Sequence, residues 1–267
     1  MNIFEAIILG IVQGLTEFLP VSSSGHLTLF QEIFGLDMSN AMFFNLLVHV
    51  GTLVAVCVVF YKDIIGLFKK PYKNLFMLII ASIPAAIAGL LLDDFIDSVF
   101  SSASIICFTF LLTAGLLLLA EYLGKKNSEP KPLSYKTAGI MGVGQMLAIL
   151  PGLSRSGTTI TAGILCKHKR EDVAKFSFLM SIPVILGGAL VEVLKMIKEL
   201  SAGATLTTLG IDVVPTLVAM LCAALSGYFA IRWMLKLISK CNFKWFSVYL
   251  VAVSLVCIVN YFIVPIW

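Results

Sequence analysis

The chain reads as an all-α polytopic membrane protein of two inverted repeats, each a re-entrant helical hairpin plus three transmembrane helices. Three observations predict it. Apolar residues fill 59% of the 267 positions and charged residues 13%, with mean hydropathy +1.01, against roughly 45–50% and 25% in soluble domains. Two polar segments rich in Gly and Ser, residues 13–26 and 151–159, interrupt that apolar background. One constant offset superposes them: Gly10 on Gly142, Gln13 on Gln145, Leu15 on Leu147, Ser22 on Ser154, Ser24 on Ser156 and Gly25 on Gly157. Polar, irregular backbone is tolerated at membrane depth only where protein buries it or it lines a wet cavity. A site is therefore expected at these two segments.

The first apolar run, Ile3 to Leu19, is interrupted by Gln13 and Glu17 and stopped by Pro20, too soon for the roughly 20 apolar residues of a spanning helix. A second short run, Leu27 to Leu36, follows the Ser/Gly turn, and the pair makes a re-entrant hairpin. Ala41 to Tyr61 is long enough to span and leads to a loop with Lys62, Lys69, Lys70 and Lys73, which the positive-inside tendency places in the cytoplasm. Asn74 to Leu92 returns, through Pro84 and Gly89, to a loop with Asp93, Asp94 and Asp97 and no cation, expected outside. Ala103 to Leu123 crosses back to a connector carrying Lys125, Lys126, Pro130, Lys131, Pro132 and Lys136.

The second half repeats the plan. Thr137 to Leu150 is broken at Pro151-Gly152, resumes from Gly157 to Cys166 and ends at Lys167-His168-Lys169-Arg170; spans follow at Val173–Leu194, Val213–Leu235 and Phe246–Trp267. The 1–267 chain is thus one integral membrane domain, with repeat one at 1–123, a cytoplasmic connector at 124–136 and repeat two at 137–267. Three crossings between hairpins invert the second repeat, so hairpin one opens outward and hairpin two inward. In such inverted repeats the broken helices meet near the bilayer midplane.

Composition also excludes some classes. A net charge of +4 concentrated in cytoplasmic loops is explained by membrane orientation and calls for no nucleic acid. The six cysteines, Cys57, Cys107, Cys166, Cys222, Cys241 and Cys257, fall singly without a Cys-x-x-Cys pair, as small buried hydrophobes rather than metal ligands or disulfides. The start, with Glu5 and no basic stretch, does not read as a cleavable signal.

At the hairpin tips, Glu17 lies one helical turn after Gln13, on the same face. A carboxylate at mid-membrane costs about 2.5–3.5 kcal/mol on insertion scales, and Arg155 carries a similar cost in the matching tip, so each calls for a partner. The guanidinium fork suits phosphate oxygens, and Ser154, Ser156 and Thr159 with free amides at a helix start complete an anion cradle. A resting Glu17–Arg155 pair that opens for an anionic substrate is expected. Ser22, Ser23 and Ser24 are hydroxyls within a few residues of His26, an imidazole that could take the Ser proton or protonate a leaving oxygen. His49, inside a spanning run with Gly51 and Thr52, reads as a structural histidine. Carboxylate, imidazole, hydroxyls and arginine together suit phosphoryl transfer, which rests on positioning and charge neutralisation; the apolar surroundings imply a lipid-borne phosphate.

At these residues the chain resembles the bacterial undecaprenyl-diphosphate phosphatases, the membrane family linked to bacitracin resistance. The likeness runs the full length and rests on Gln13 to Glu17, Phe18-Leu19-Pro20-Val21-Ser22-Ser23-Ser24-Gly25-His26, and Pro151 to Thr159. It implies hydrolysis of undecaprenyl diphosphate to the monophosphate and inorganic phosphate, which recycles the carrier lipid for peptidoglycan synthesis in the bacterial cytoplasmic membrane. It places the nucleophile on Ser23, the histidine on His26, the acid on Glu17 and the phosphate clamp on Arg155. Gln13, Ser22, Ser24, Ser154, Ser156 and Thr159 are expected to bind substrate. A divalent cation, Mg2+ or Ca2+, near Glu17 and a homodimer are family expectations. Where other members carry Glu at the first acidic position this chain has Gln13, so Glu17 alone must bear any carboxylate role. The charge bias predicts a pocket that opens to the extracytoplasmic side. His26 as nucleophile is the alternative, and a carrier that binds but does not cleave is the rival class, because inverted repeats with broken helices also build transporters.

Overall fold

A computed structural model describes residues 1–36, 41–91, 104–124, 131–201, 212–238 and 242–264. Among them are eleven α-helices and, outside the helices, one isolated bridge between Lys131 and His168. The acidic loop with Asp93, Asp94 and Asp97, the connector residues Lys125, Lys126 and Pro130, and Cys241 lie outside the described residues. Among the described residues, five helices are long and apolar enough to cross a membrane, and a bent pair supplies a sixth candidate.

Hairpin one is α1 (Ile3–Phe18) and α2 (Ser23–Ile33). A capping box starts α1: the Asn2 side chain accepts from the Glu5 amide and the Glu5 carboxylate accepts from the Asn2 amide. Leu19-Pro20 ends it, since Pro lacks the N–H the helix needs. α2 begins at Ser23, earlier than the apolar run suggested, so the serines form its first turn rather than a loop. Then come α3 (Ala41–Val59), α4 (Tyr61–Leu67), α5 (Lys73–Leu91) and α6 (Ile105–Gly124). Where the sequence suggested a plain lysine loop, the chain bends by 81° at Phe60 and continues as α4.

Hairpin two is α7 (Tyr135–Leu147) and α8 (Arg155–Leu165), followed by α9 (Arg170–Ser201), α10 (Val213–Leu237) and α11 (Lys244–Phe262). At 32 residues, α9 is about 48 Å long and extends well past the apolar stretch 173–194.

Packing repeats between the halves. The first hairpin arm of each repeat lies against the second crossing of the other, α1 on α10 and α7 on α5, while α6 packs on α11. Glycines permit the approach at matching positions. A Cβ on Gly10 would stand 2.3 Å from the Ala219 carbonyl oxygen, and one on Gly142 would stand 2.6 Å from that of Ala81. Neither carbonyl can yield, because each belongs to a helix backbone. Gly10→Ala is accordingly expected to lower stability by about 1–3 kcal/mol through overpacking. Gly115→Ala, whose Cβ would enter open space, should be neutral or stabilising; thermal unfolding in detergent distinguishes the two. Beneath the tips, Phe178 of α9 receives Phe18 edge-on at 5.5 Å and Phe60 at 6.4 Å. This aromatic floor fixes the end of α1 at which Glu17 sits.

Candidate active site

The two tips are built alike. Ser22 caps α2: its Oγ accepts from the Gly25 amide at 3.3 Å and its carbonyl accepts from the His26 amide. Ser154 caps α8 the same way, with Oγ accepting from Gly157 at 3.0 Å and the carbonyl from Thr158. In each tip the cap hydroxyl also lies near the serine two residues on, 3.4 Å for Ser22–Ser24 and 3.3 Å for Ser154–Ser156. Their backbones differ: Ser22 itself takes φ 70°, whereas in tip two the positive φ falls on Gly152. A serine there is a strained residue held by its surroundings, of the kind concentrated at working sites.

The tips touch. Ser156 Oγ donates to the Leu19 carbonyl at 2.9 Å, and the Gly152 amide donates to Ser24 Oγ at 3.3 Å. Two helix N-termini therefore open at one junction, each bringing the partial positive charge of its macrodipole. Among the described residues, the first-turn amides of Ser23, Ser24, Arg155 and Ser156 meet no protein acceptor, which leaves them available to an anion.

Glu17 stands at this junction, 7% exposed. Arg155 Nη2 donates to its Oε1 at 2.5 Å. Its Oε2 accepts from Ser23 Oγ at 2.5 Å and from Gln13 Nε2 at 3.1 Å, with His49 Nε2 at 3.6 Å. The second arm of the fork, Arg155 Nη1, donates to the Ser177 carbonyl at 3.2 Å, and Thr159 Oγ1 lies 2.6 Å from Ser177 Oγ. The resting Glu17–Arg155 pair is present, and Ser23 lies against the carboxylate rather than the imidazole.

His26 occupies the other flank. Its Nδ1 is 2.8 Å from the Ser22 carbonyl, a pure acceptor, so Nδ1 carries the hydrogen and Nε2 accepts from the Tyr249 hydroxyl at 2.7 Å. The ring stacks on Tyr249 at 5.6 Å and tilts against Phe110 at 5.1 Å. The described contacts do not join it to Ser23.

Of the residues singled out from sequence, Gln13, Glu17, Ser22, Ser23, Ser24, Arg155 and Ser156 are gathered at the junction. Ser154 is spent as a cap. Thr159 reaches Ser177 and the Arg155 carbonyl. Three neighbours were not anticipated: His49, read as structural yet beside Glu17; Ser177, which holds both Arg155 and Thr159; and Tyr249, which caps His26. A buried charge with one identified partner signals that others exist, but the sequence does not say on which helix.

A resident divalent cation does not fit this donor set. Hard cations take six or more oxygens. Both Glu17 oxygens already accept from N–H and O–H donors; among the described residues no three of His, Cys, Asp and Glu converge. Gln13 Oε1, buried and without a donor, offers one neutral oxygen.

Comparison with known proteins agrees with the geometry. The chain is 47% identical over 252 residues to the undecaprenyl-diphosphatase of Carboxydothermus hydrogenoformans, covering 93% of this chain and 94% of that one. It is 43% identical to the protein of the same name from Halothermothrix orenii, covering 97% and 98%, and 37% identical to that of Parabacteroides distasonis, covering 97% and 98%. Residues 6–256 match the sequence model of the family described as bacitracin resistance protein BacA, and it is to this family that the chain belongs.

Proposed function

We propose that this protein hydrolyses undecaprenyl diphosphate to undecaprenyl phosphate and inorganic phosphate, recycling the carrier lipid for peptidoglycan synthesis and conferring bacitracin resistance. One observation carries the mechanism: a hydroxyl, Ser23, donates at 2.5 Å to a carboxylate whose other oxygen holds the arginine of the facing tip. Base, nucleophile and phosphate clamp thus share one junction, and a carrier would need only the clamp.

In this reading Arg155 turns from Glu17 to the diphosphate, and the free first-turn amides receive its oxygens. Ser23 Oγ attacks the terminal phosphorus as its proton passes to Glu17. The bond from that phosphorus to the bridging oxygen breaks, and the departing undecaprenyl phosphate takes the proton back from Glu17. Water then attacks the phosphorus of the seryl phosphate and gives a proton to Glu17; the bond from phosphorus to Ser23 Oγ breaks, Oγ takes that proton back from Glu17, and inorganic phosphate leaves. His26, held between Ser22 and Tyr249, sets the strained cap that aims Ser23. Ser22, Ser24, Ser154, Ser156 and Thr159 shape the cradle. A Mg2+ or Ca2+ ion belongs with the diphosphate it neutralises rather than with a resident protein site.

The wider arrangement completes the proposal: one membrane domain, repeats at 1–123 and 137–267 joined by a cytoplasmic connector at 124–136, and a pocket reached from the extracytoplasmic side. The homodimer expected of the family would use the Gly187-Gly188 face of α9, which is open, whereas Ala223 and Gly227 are spent against α1.

Phosphate release from undecaprenyl diphosphate by the purified protein in detergent tests the reading. Chelated, desalted protein is expected to retain no stoichiometric metal and to recover turnover with added Mg2+ or Ca2+. Binding of the lipid without phosphate release under those conditions would make the protein a carrier.

A further inference from the structure

On the reading just given, Arg155 must leave Glu17 to reach the diphosphate. Two of its five N–H groups are engaged, one of Nη2 on Glu17 and one of Nη1 on the Ser177 carbonyl. Turning to substrate would leave a carboxylate whose side chain is 5% exposed with the neutral donors Ser23 and Gln13 but without the Arg155 counter-charge, a state that low-dielectric surroundings penalise strongly. Something else must hold Glu17.

We infer that His49 is the counter-charge that stays with Glu17 when Arg155 turns to the diphosphate, which makes it a positioning residue of the reaction. Its Nδ1 lies 2.6 Å from the Asn45 carbonyl, one helical turn back on α3. A carbonyl only accepts, so Nδ1 carries a hydrogen and the ring is fixed with Nε2 towards Glu17 Oε2 at 3.6 Å. A lone pair facing a carboxylate is disfavoured, and in this inference Nε2 carries the second hydrogen. Among the described residues, the charged groups around Glu17 are then two cations, Arg155 from α8 and His49 from α3; the remaining side-chain contacts, Gln13 and Ser23, are neutral. The empty site carries one net positive charge, which draws an anionic substrate. When Arg155 departs, a neutral Glu17–His49 pair remains.

α3 is itself tied to hairpin one, since Gln31 Nε2 of α2 donates to Asn45 Oδ1 at 2.8 Å. The helix presenting His49 therefore keeps its place against the tip while Arg155, on the opposite hairpin, moves. The 3.6 Å gap, longer than a hydrogen bond, leaves room for the pair to tighten on Arg155 departure.

The test is binding of a non-hydrolysable prenyl methylenediphosphonate to the purified full chain in detergent. His49→Leu is expected to weaken binding at least about tenfold, or about 1.4 kcal/mol, because Arg155 stays locked on Glu17. In a Glu17→Gln background, where no carboxylate holds Arg155, the same change should alter affinity less than about twofold. His49→Gln, which keeps length and a donor but no charge, guards against misfolding and should show the same dependence on Glu17 with a smaller loss. Equal losses in both backgrounds, or no loss with Glu17 present, would overturn the inference while leaving the hydrolase reading intact. A wild-type protein that neither binds the probe nor cleaves undecaprenyl diphosphate would overturn both.

Discussion

Replacing Arg155 with alanine is expected to lower phosphate release from undecaprenyl diphosphate by at least about 10³-fold, on the order of 4 kcal/mol of transition-state stabilisation. The guanidinium is the charged donor of the facing tip, and its fork geometry matches two phosphate oxygens at once. Arg155→Lys restores charge without the fork and should recover only part of the rate. The substitution also acts on stability. Glu17 and Arg155 are joined at 2.5 Å with side chains 5% and 16% exposed, and removing one member of a buried pair costs about 3–5 kcal/mol. His49 nearby keeps the loss at the lower end. Glu17→Gln in the Arg155→Ala background should therefore raise the melting temperature again without restoring turnover. If the double variant recovered activity, Arg155 would be a structural counter-ion and the phosphate clamp would lie elsewhere.

The sequence made both tips legible because their chemistry violates the composition around them. A carboxylate and a guanidinium in apolar runs each require a partner, and the offset carrying Ser22 onto Ser154 and Gly25 onto Gly157 placed the two segments opposite one another. The structure extends that correspondence to the caps, with Ser22 and Ser154 each holding the amide three residues on, and to the packing of Gly10 and Gly142 on alanine carbonyls.

His49 was hidden for a physical reason. A single imidazole in a spanning helix has the pattern of a packing residue, and only the register of α3 against α1 brings it to Glu17. That register is set through α10, on which both helices pack, by close contacts such as Gly51 on the Met220 carbonyl, which no local pattern encodes. The α3–α4 bend at Phe60 was missed similarly, because a lysine-bearing stretch after an apolar run suits both a loop and a short surface helix. His26 lies apart from Ser23 for a related reason. Three residues from Ser23 in sequence, it turns back along its helix to the carbonyl of Ser22, as helical side chains lean towards the N-terminus, while Ser23 faces α1.

That divergence sets the second large prediction, Ser23→Ala, expected to reduce turnover about 10⁴-fold or more, as loss of a nucleophile does. Ser23 Oγ already donates to Glu17 at 2.5 Å and is partly exposed at the junction, so the proton acceptor and the path to substrate are in place. For His26 to attack instead, Nε2 would have to shed the Tyr249 hydroxyl at 2.7 Å. The two nucleophiles thus predict opposite responses to Tyr249→Phe. If His26 attacks, uncovering Nε2 accelerates the first step. If Ser23 attacks, the change loosens only the ring that holds the Ser22 carbonyl, and the rate falls by less than about tenfold. Denaturing quench during turnover separates them chemically as well: a seryl phosphate on Ser23 survives acid, whereas a phosphohistidine does not. Acid-labile label, with Ser23→Ala near wild-type rate, would transfer the nucleophile to His26 and leave Glu17 to activate water in the second step.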